Sequence, residues 1–166
     1  MSAQPSSLIE FYPGWEIYQQ SFVKTVAQLS SEQLALPIAA HHWSIGSLLS
    51  HMLGARILWF HYVMGEGSSD VAHWSFDGQP LPETSELVTG FEETWQMIAT
   101  ALTRWTPANL GDLFPTPAFM KENEEEDLPP CTRGWIIWHV LEHEIHHGGE
   151  FSLAQGVYGL DSHYIH

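Results

Sequence analysis

The chain has 166 residues, which is long enough for one domain with its own core. Its 20 acidic and 5 basic side chains give a formal net charge of −15 at pH 7, so nucleic acids and anionic membranes are not expected as partners. A hydrophobic share of 44% excludes a disordered chain, and a single cysteine together with an N-terminus that lacks a signal-peptide pattern indicates a cytoplasmic protein.

The first half of the chain predicts two long helices. In residues 13–29, apolar side chains recur at helical spacing after a proline suited to a first turn, and a short turn follows at 31–34. Ser44 is a good N-cap for a second helix, residues 45–65. This second helix is apolar on nearly all sides, which predicts burial on more than one side. A second copy of the chain, in a homodimer, is one way to cover it; the other helices of the same chain are the alternative.

The second half of the chain predicts two further helices. One runs from a cap at Thr84 or Ser85 to about Trp105, and the last begins after Thr132 and ends near Gly156 or Gly159. Residues 65–82 and 107–130 are predicted to be irregular, and the second of these segments contains the acidic run 122–127. No segment shows the alternation of a strand. The sequence therefore predicts one all-α domain, residues 1–166, a four-helix bundle with an irregular acidic loop before the last helix.

Three histidines, His139, His143 and His147, follow one another at steps of four in the last helix. Such steps stack side chains on one face, so two imidazoles one turn apart can reach the same metal ion. Three such residues span about 12 Å of helix, so His139 is expected to pack beside the site while His143 and His147 bind. His51, in the apolar second helix, is the best candidate for a third ligand, although the residues alone favour a histidine satisfied within the core.

Residues 143–147 also spell HExxH, a pattern typical of zinc proteases. The positions of the additional protease ligands are not filled: Leu153 stands where one protease class has its third histidine, and Glu150 is the only glutamate after His147. No strand is predicted that could hold a peptide substrate. The protease interpretation is therefore rejected.

Trp43-Ser44 at the start of the second helix, the SHML segment 50–53 and the WHVLEHEIHH segment 138–147 together resemble the DinB-like superfamily of four-helix bundles. The resemblance extends over essentially the whole chain. It implies that His51, His143 and His147 together hold a divalent metal ion. Members often follow the histidine pair with an arginine, whereas this chain has Gly148, so an arginine that could steady a substrate or partner is missing.

Three neutral imidazoles leave a coordination position open, which is typical of catalytic metal sites, and nitrogen ligands suit zinc or nickel. Characterised relatives include thiol-dependent S-transferases and a thiol-dependent isomerase. The resemblance therefore implies a metal-dependent enzyme on small molecules, with a low-molecular-weight thiol as cosubstrate and an electrophile as acceptor. The alternatives are a metal-dependent hydrolase with Glu144 or Glu150 as the catalytic base, and a non-catalytic protein that binds metal or a ligand.

Overall fold

The computed structural model describes residues 6–40, 42–75, 80–120 and 129–161. Its α-helices are α1 (Pro13–Val26), α2 (Ser31–Leu34), α3 (Ile45–Arg56), α4 (Thr84–Arg104) and α5 (Arg133–Val157). The short helix α2 is a single turn, and the four long helices form the predicted bundle, in which α3 packs against α4 and α5 and α1 packs against α4. The all-α prediction is confirmed.

The predicted caps of two helices are present. The hydroxyl of Ser44 accepts the backbone N–H of Ser47 at the start of α3, and that of Thr132 accepts the backbone N–H of Trp135 at the start of α5. Because each cap satisfies an otherwise unpaired N–H group, it fixes where the helix begins. At α4 the prediction was one residue late, because Glu83 is the N-cap and its backbone N–H is held by the Glu86 carboxylate.

The second predicted helix changes its winding part of the way along. After α3 the chain continues as a π-helical segment, Ile57–Val63, in which the backbone N–H of Met64 reaches the carbonyl of Trp59 five residues earlier. Short 3₁₀ segments at Leu8–Phe11, Ser69–Trp74, Pro107–Gly111 and Ala118–Met120 complete the helical part of the described chain. Stretches of π-helix are rare and occur frequently at functional sites.

The prediction that the chain contains no strand was wrong. Two short strands, β1 (Leu113–Phe114) and β2 (Cys131–Thr132), pair antiparallel, with Leu113 opposite Thr132 and Phe114 opposite Cys131. Strands of two residues are too short to show an alternating pattern, so no periodicity in the sequence indicated them. They close the base of the irregular segment before α5; the acidic run 122–127 within it lies outside the described residues.

The core consists of two apolar clusters, one including Trp15, Phe60 and Ile136 and the other including Phe22, Leu49 and Phe91. The chain itself buries most of the apolar side chains of α3, so that helix does not need a second copy to cover it. Homodimerisation stays a prediction. No described helix is both long and apolar enough to cross a membrane.

Candidate metal centre

The three histidines of the predicted ligand set converge at the contact between α3 and α5. Ligand atoms of His51, His143 and His147 all lie within 4.8 Å of one another. The Nε2 atoms of His51 and His143 are 2.9 Å apart, and the ring centroids of His143 and His147 are 4.4 Å apart. Nitrogens bound to one tetrahedral zinc at 2.0–2.1 Å stand about 3.3 Å from one another. The three rings therefore fit one ion after small side-chain movements, with a fourth position left open.

The protonation state of His143 suits a metal ligand. Burial, followed by the nearby rings of His147 and His51, lowers the pKa of His143 to about 3, so its ring is neutral at pH 7. Only a neutral imidazole has a lone pair to donate to a metal. Its buried Nδ1 has no hydrogen-bond partner among the described residues, so the contact with His51 is the one polar contact the described residues give this ring.

Glu150 contacts a candidate ligand directly. Its Oε2 atom is 2.7 Å from Nδ1 of His147, and this hydrogen bond lowers the pKa of the Glu150 carboxyl group. An ionised carboxylate only accepts, so Nδ1 of His147 carries a hydrogen, which leaves Nε2 as the ring atom that could bind a metal. Carboxylate–histidine pairs of this kind orient metal ligands in many proteins. The structure thus gives Glu150 an orienting contact, and its role as a base stays a prediction.

Glu144, the other predicted base, points away from the histidines and into the core. It is fully buried; its Oε1 lies 2.5 Å from Nε of Arg56, and its Oε2 accepts the indole N–H of Trp15 at 2.8 Å. Neighbouring residues on a helix are rotated by about 100°, so the residue after His143 faces α1 and α3. With both oxygens engaged in the core, Glu144 is not placed to activate a water at the histidines, and the prediction is corrected to a structural ion pair.

The partner of Glu144 was missed from the sequence, where Arg56 only interrupts an apolar run. Its guanidinium donates to the Phe91 carbonyl, to the Thr94 hydroxyl and, at 2.5 Å, to Oε1 of Gln19. An arginine that is 1% exposed needs such partners, because an unpaired buried charge is very costly. The signal available in the sequence was one arginine and one glutamate, each within an apolar helix. The network joins α1, α3, α4 and α5 behind the histidines.

His139 lies outside the ligand group, as predicted. Its ring stacks on Trp135 with centroids 4.8 Å apart and meets the edge of Trp59 at 5.2 Å. Burial lowers the pKa of His139, so its ring is neutral at pH 7. Trp43 covers the other side of the site, with its ring centroid 4.8 Å from that of His51.

Comparison with known proteins identifies the family. The sequence model of the DinB family matches residues 1–156. The crystal structure of a DinB-like protein from Bacillus cereus superposes with a TM-score of 0.72 and 20% identity, covering 98% of this chain and 100% of that one. At that identity the likeness shows the fold alone. No curated protein matches the chain significantly. Because the family match includes nearly the whole sequence, the chain belongs to the DinB family.

Proposed function

We propose that the protein binds one divalent metal ion, zinc or nickel, through His51, His143 and His147. The observation that carries this proposal is the convergence of three imidazoles from two helices, with ligand atoms within 4.8 Å of one another. Nitrogen-only donor sets suit these metals. Three protein ligands leave a position open to a substrate, unlike the closed four-ligand sites of structural zinc.

We further propose that the site serves a cytoplasmic, metal-dependent enzyme that transfers a low-molecular-weight thiol to a small electrophile. When bound, the ion would supply the positive charge that favours a thiolate over a thiol at neutral pH. In the transfer, the thiol loses its proton, a carbon–sulfur bond forms and the leaving group departs with its electron pair. Glu150 would hold His147 in the binding tautomer, while the core ion pair of Arg56 and Glu144 keeps α5 oriented.

Metal content tests the first part of the proposal. Protein purified without an affinity tag should contain about one divalent ion per chain by elemental analysis. His51→Ala, His143→Ala and His147→Ala should each lose the ion, because each variant lacks one of the three imidazole ligands and two are too few to retain it. His139→Ala is the matched control and should retain it. Full metal retention in His51→Ala would refute a site shared by α3 and α5.

Thiol transfer tests the second part. Metal-loaded protein should consume low-molecular-weight bacterial thiols in the presence of monobromobimane, and removal of the metal should abolish the reaction. The absence of turnover with every thiol in a panel would refute the transferase proposal. Hydrolysis that disappears in Glu150→Gln while metal stays bound would favour the hydrolase alternative, and bound metal with neither activity would favour a binding protein.

We also retain the homodimer as a proposal, now on a different surface. Apolar side chains exposed on α5, Trp138, Ile145, Leu153 and Val157, offer a face for a second copy. Sedimentation at micromolar concentration should give about twice the chain mass of 18.8 kDa. A mass of one chain would refute the dimer.

A further inference from the structure

A cavity of about 270 Å³ adjoins the three histidines, between the π-helical segment with the end of α3 on one side and α5 on the other. His51 and His143 belong to its wall, so a group in the cavity lies next to the coordination position that three protein ligands leave open. Ligand pockets commonly measure about 300–1,000 Å³. This cavity therefore has room for a small molecule or for one end of a larger one.

The described wall of the cavity is largely apolar. Its polar groups are the rings of His51, His139 and His143 and the hydroxyl groups of Tyr62 and Ser75. The rest of the wall consists of glycine and apolar side chains such as Leu58 and Trp59. None of these residues is an aspartate, glutamate, lysine or arginine. The ring of His139, stacked on Trp135 outside, presents an aromatic surface to the cavity together with Trp59. Aromatic surfaces of this kind pack well against planar and apolar groups.

The cationic side chains of the described residues are engaged away from this cavity. All three arginines of the chain form ion pairs: Arg56 with Glu144, Arg104 with Glu66, and Arg133 with Asp112. Lys24 lies in a separate groove between α1 and α4, and Lys121 is outside the described residues. The net charge of −15 also repels anions from the whole surface. A carboxylate or phosphate group at the end of the cavity away from the proposed ion would thus lose its hydration without gaining a counter-charge from a described side chain, whereas beside the histidines the ion itself would supply one.

We propose that this cavity, the aromatic pocket, binds an uncharged and largely apolar part of the substrate and disfavours a carboxylate or phosphate at its end away from the proposed ion, where no described side chain supplies a counter-charge. In the thiol transfer, that substrate is the electrophile. The proposal rests on the metal centre proposed above, because it places the reacting end of the substrate at the histidines.

Gly54 provides a way to fill the aromatic pocket without touching the histidines. It lies within α3, it lines the cavity, and a Cβ atom added there would meet nothing within 4 Å beyond its own stretch of helix. Gly54→Leu should therefore occupy the cavity while the helix is retained. Gly54→Ala is the matched control, because it makes the same backbone change and adds only one methyl group.

The test compares three probes on protein loaded with cobalt(II), whose visible absorption changes when its ligands change. Imidazole, 4-phenylimidazole and the para-carboxylate of 4-phenylimidazole share the same coordinating ring. We expect 4-phenylimidazole to bind at least about tenfold more tightly than imidazole, because its phenyl group is buried in the aromatic pocket. The para-carboxylate of 4-phenylimidazole should lose this gain in affinity over imidazole. Gly54→Leu should lose it as well, whereas Gly54→Ala should keep it.

Two results would overturn the aromatic pocket: equal affinities for imidazole and 4-phenylimidazole in the wild type, or the full preference retained in Gly54→Leu. A failure of cobalt to bind would instead refute the proposed metal centre. In that case, saturation-transfer NMR on metal-free protein tests the pocket separately. Phenyl signals of 4-phenylimidazole should be seen with the wild type and be lost with Gly54→Leu, and equal signals with both proteins would overturn the proposal.

Discussion

Replacing Glu144 by Gln separates a structural role for this residue from a catalytic one. The change keeps the shape of the side chain and removes its negative charge, so the Arg56 guanidinium is left buried without a counter-charge. Removing one partner of a buried ion pair typically costs about 3–5 kcal/mol. The other acceptors of Arg56, from Gln19, Phe91 and Thr94, remain, which favours the lower end of that range. Since a domain is usually stable by about 5–15 kcal/mol, the loss is a large fraction of the total.

Urea unfolding of metal-free protein measures this effect. Glu150→Gln is a suitable control on the same helix, because its side chain is 38% exposed and an exposed ion pair contributes about 0–1 kcal/mol. The double variant Arg56→Met with Glu144→Gln should be less destabilised than the sum of the two single variants, because no buried charge is left unpaired. A Glu144→Gln protein with unchanged stability and no activity would refute the reasoning and restore Glu144 as a base.

Three further predictions concern the same region. Glu150→Gln should weaken zinc affinity by about 10–100-fold in a chelator competition, because His147 loses its orienting carboxylate. Glu142→Gln, an exposed change on the same helix, should leave the zinc affinity unchanged. Equal zinc affinities of the Glu150→Gln variant and the wild type would contradict the orienting role. Metal-free protein should lose stability as the pH falls from about 6.5 toward 3, because His143, with its pKa lowered to about 3, takes up a proton only when the chain unfolds. Urea midpoints at pH 7 and pH 5 measure this loss, and a slope unchanged in His143→Gln would count against it. Gly54→Ala should raise the free energy of unfolding by about 0.5–1 kcal/mol, since it replaces a mid-helix glycine in open space; a lower urea midpoint than wild type would show that the site is not open.

The sequence determined the features that depend on local periodicity and on capping. The spacing of His143 and His147 placed both rings on one face of a helix, and Ser44 and Thr132 marked where two helices begin. The apolar patterns of the long segments were sufficient for the helical fold. These features repeat within a few residues, so a single chain is enough to reveal them.

Only the tertiary structure decided which side chains meet across the bundle. His51 approaches His143 from 92 positions away in the sequence, and Arg56 lies against Glu144 from 88 positions away. The sequence showed HExxH but not that its glutamate faces the core, because the side of α5 that is covered depends on where α1 and α3 pack. A helical pattern specifies the angle between neighbouring side chains, whereas the solvent or partner that each one faces is set by the surrounding helices.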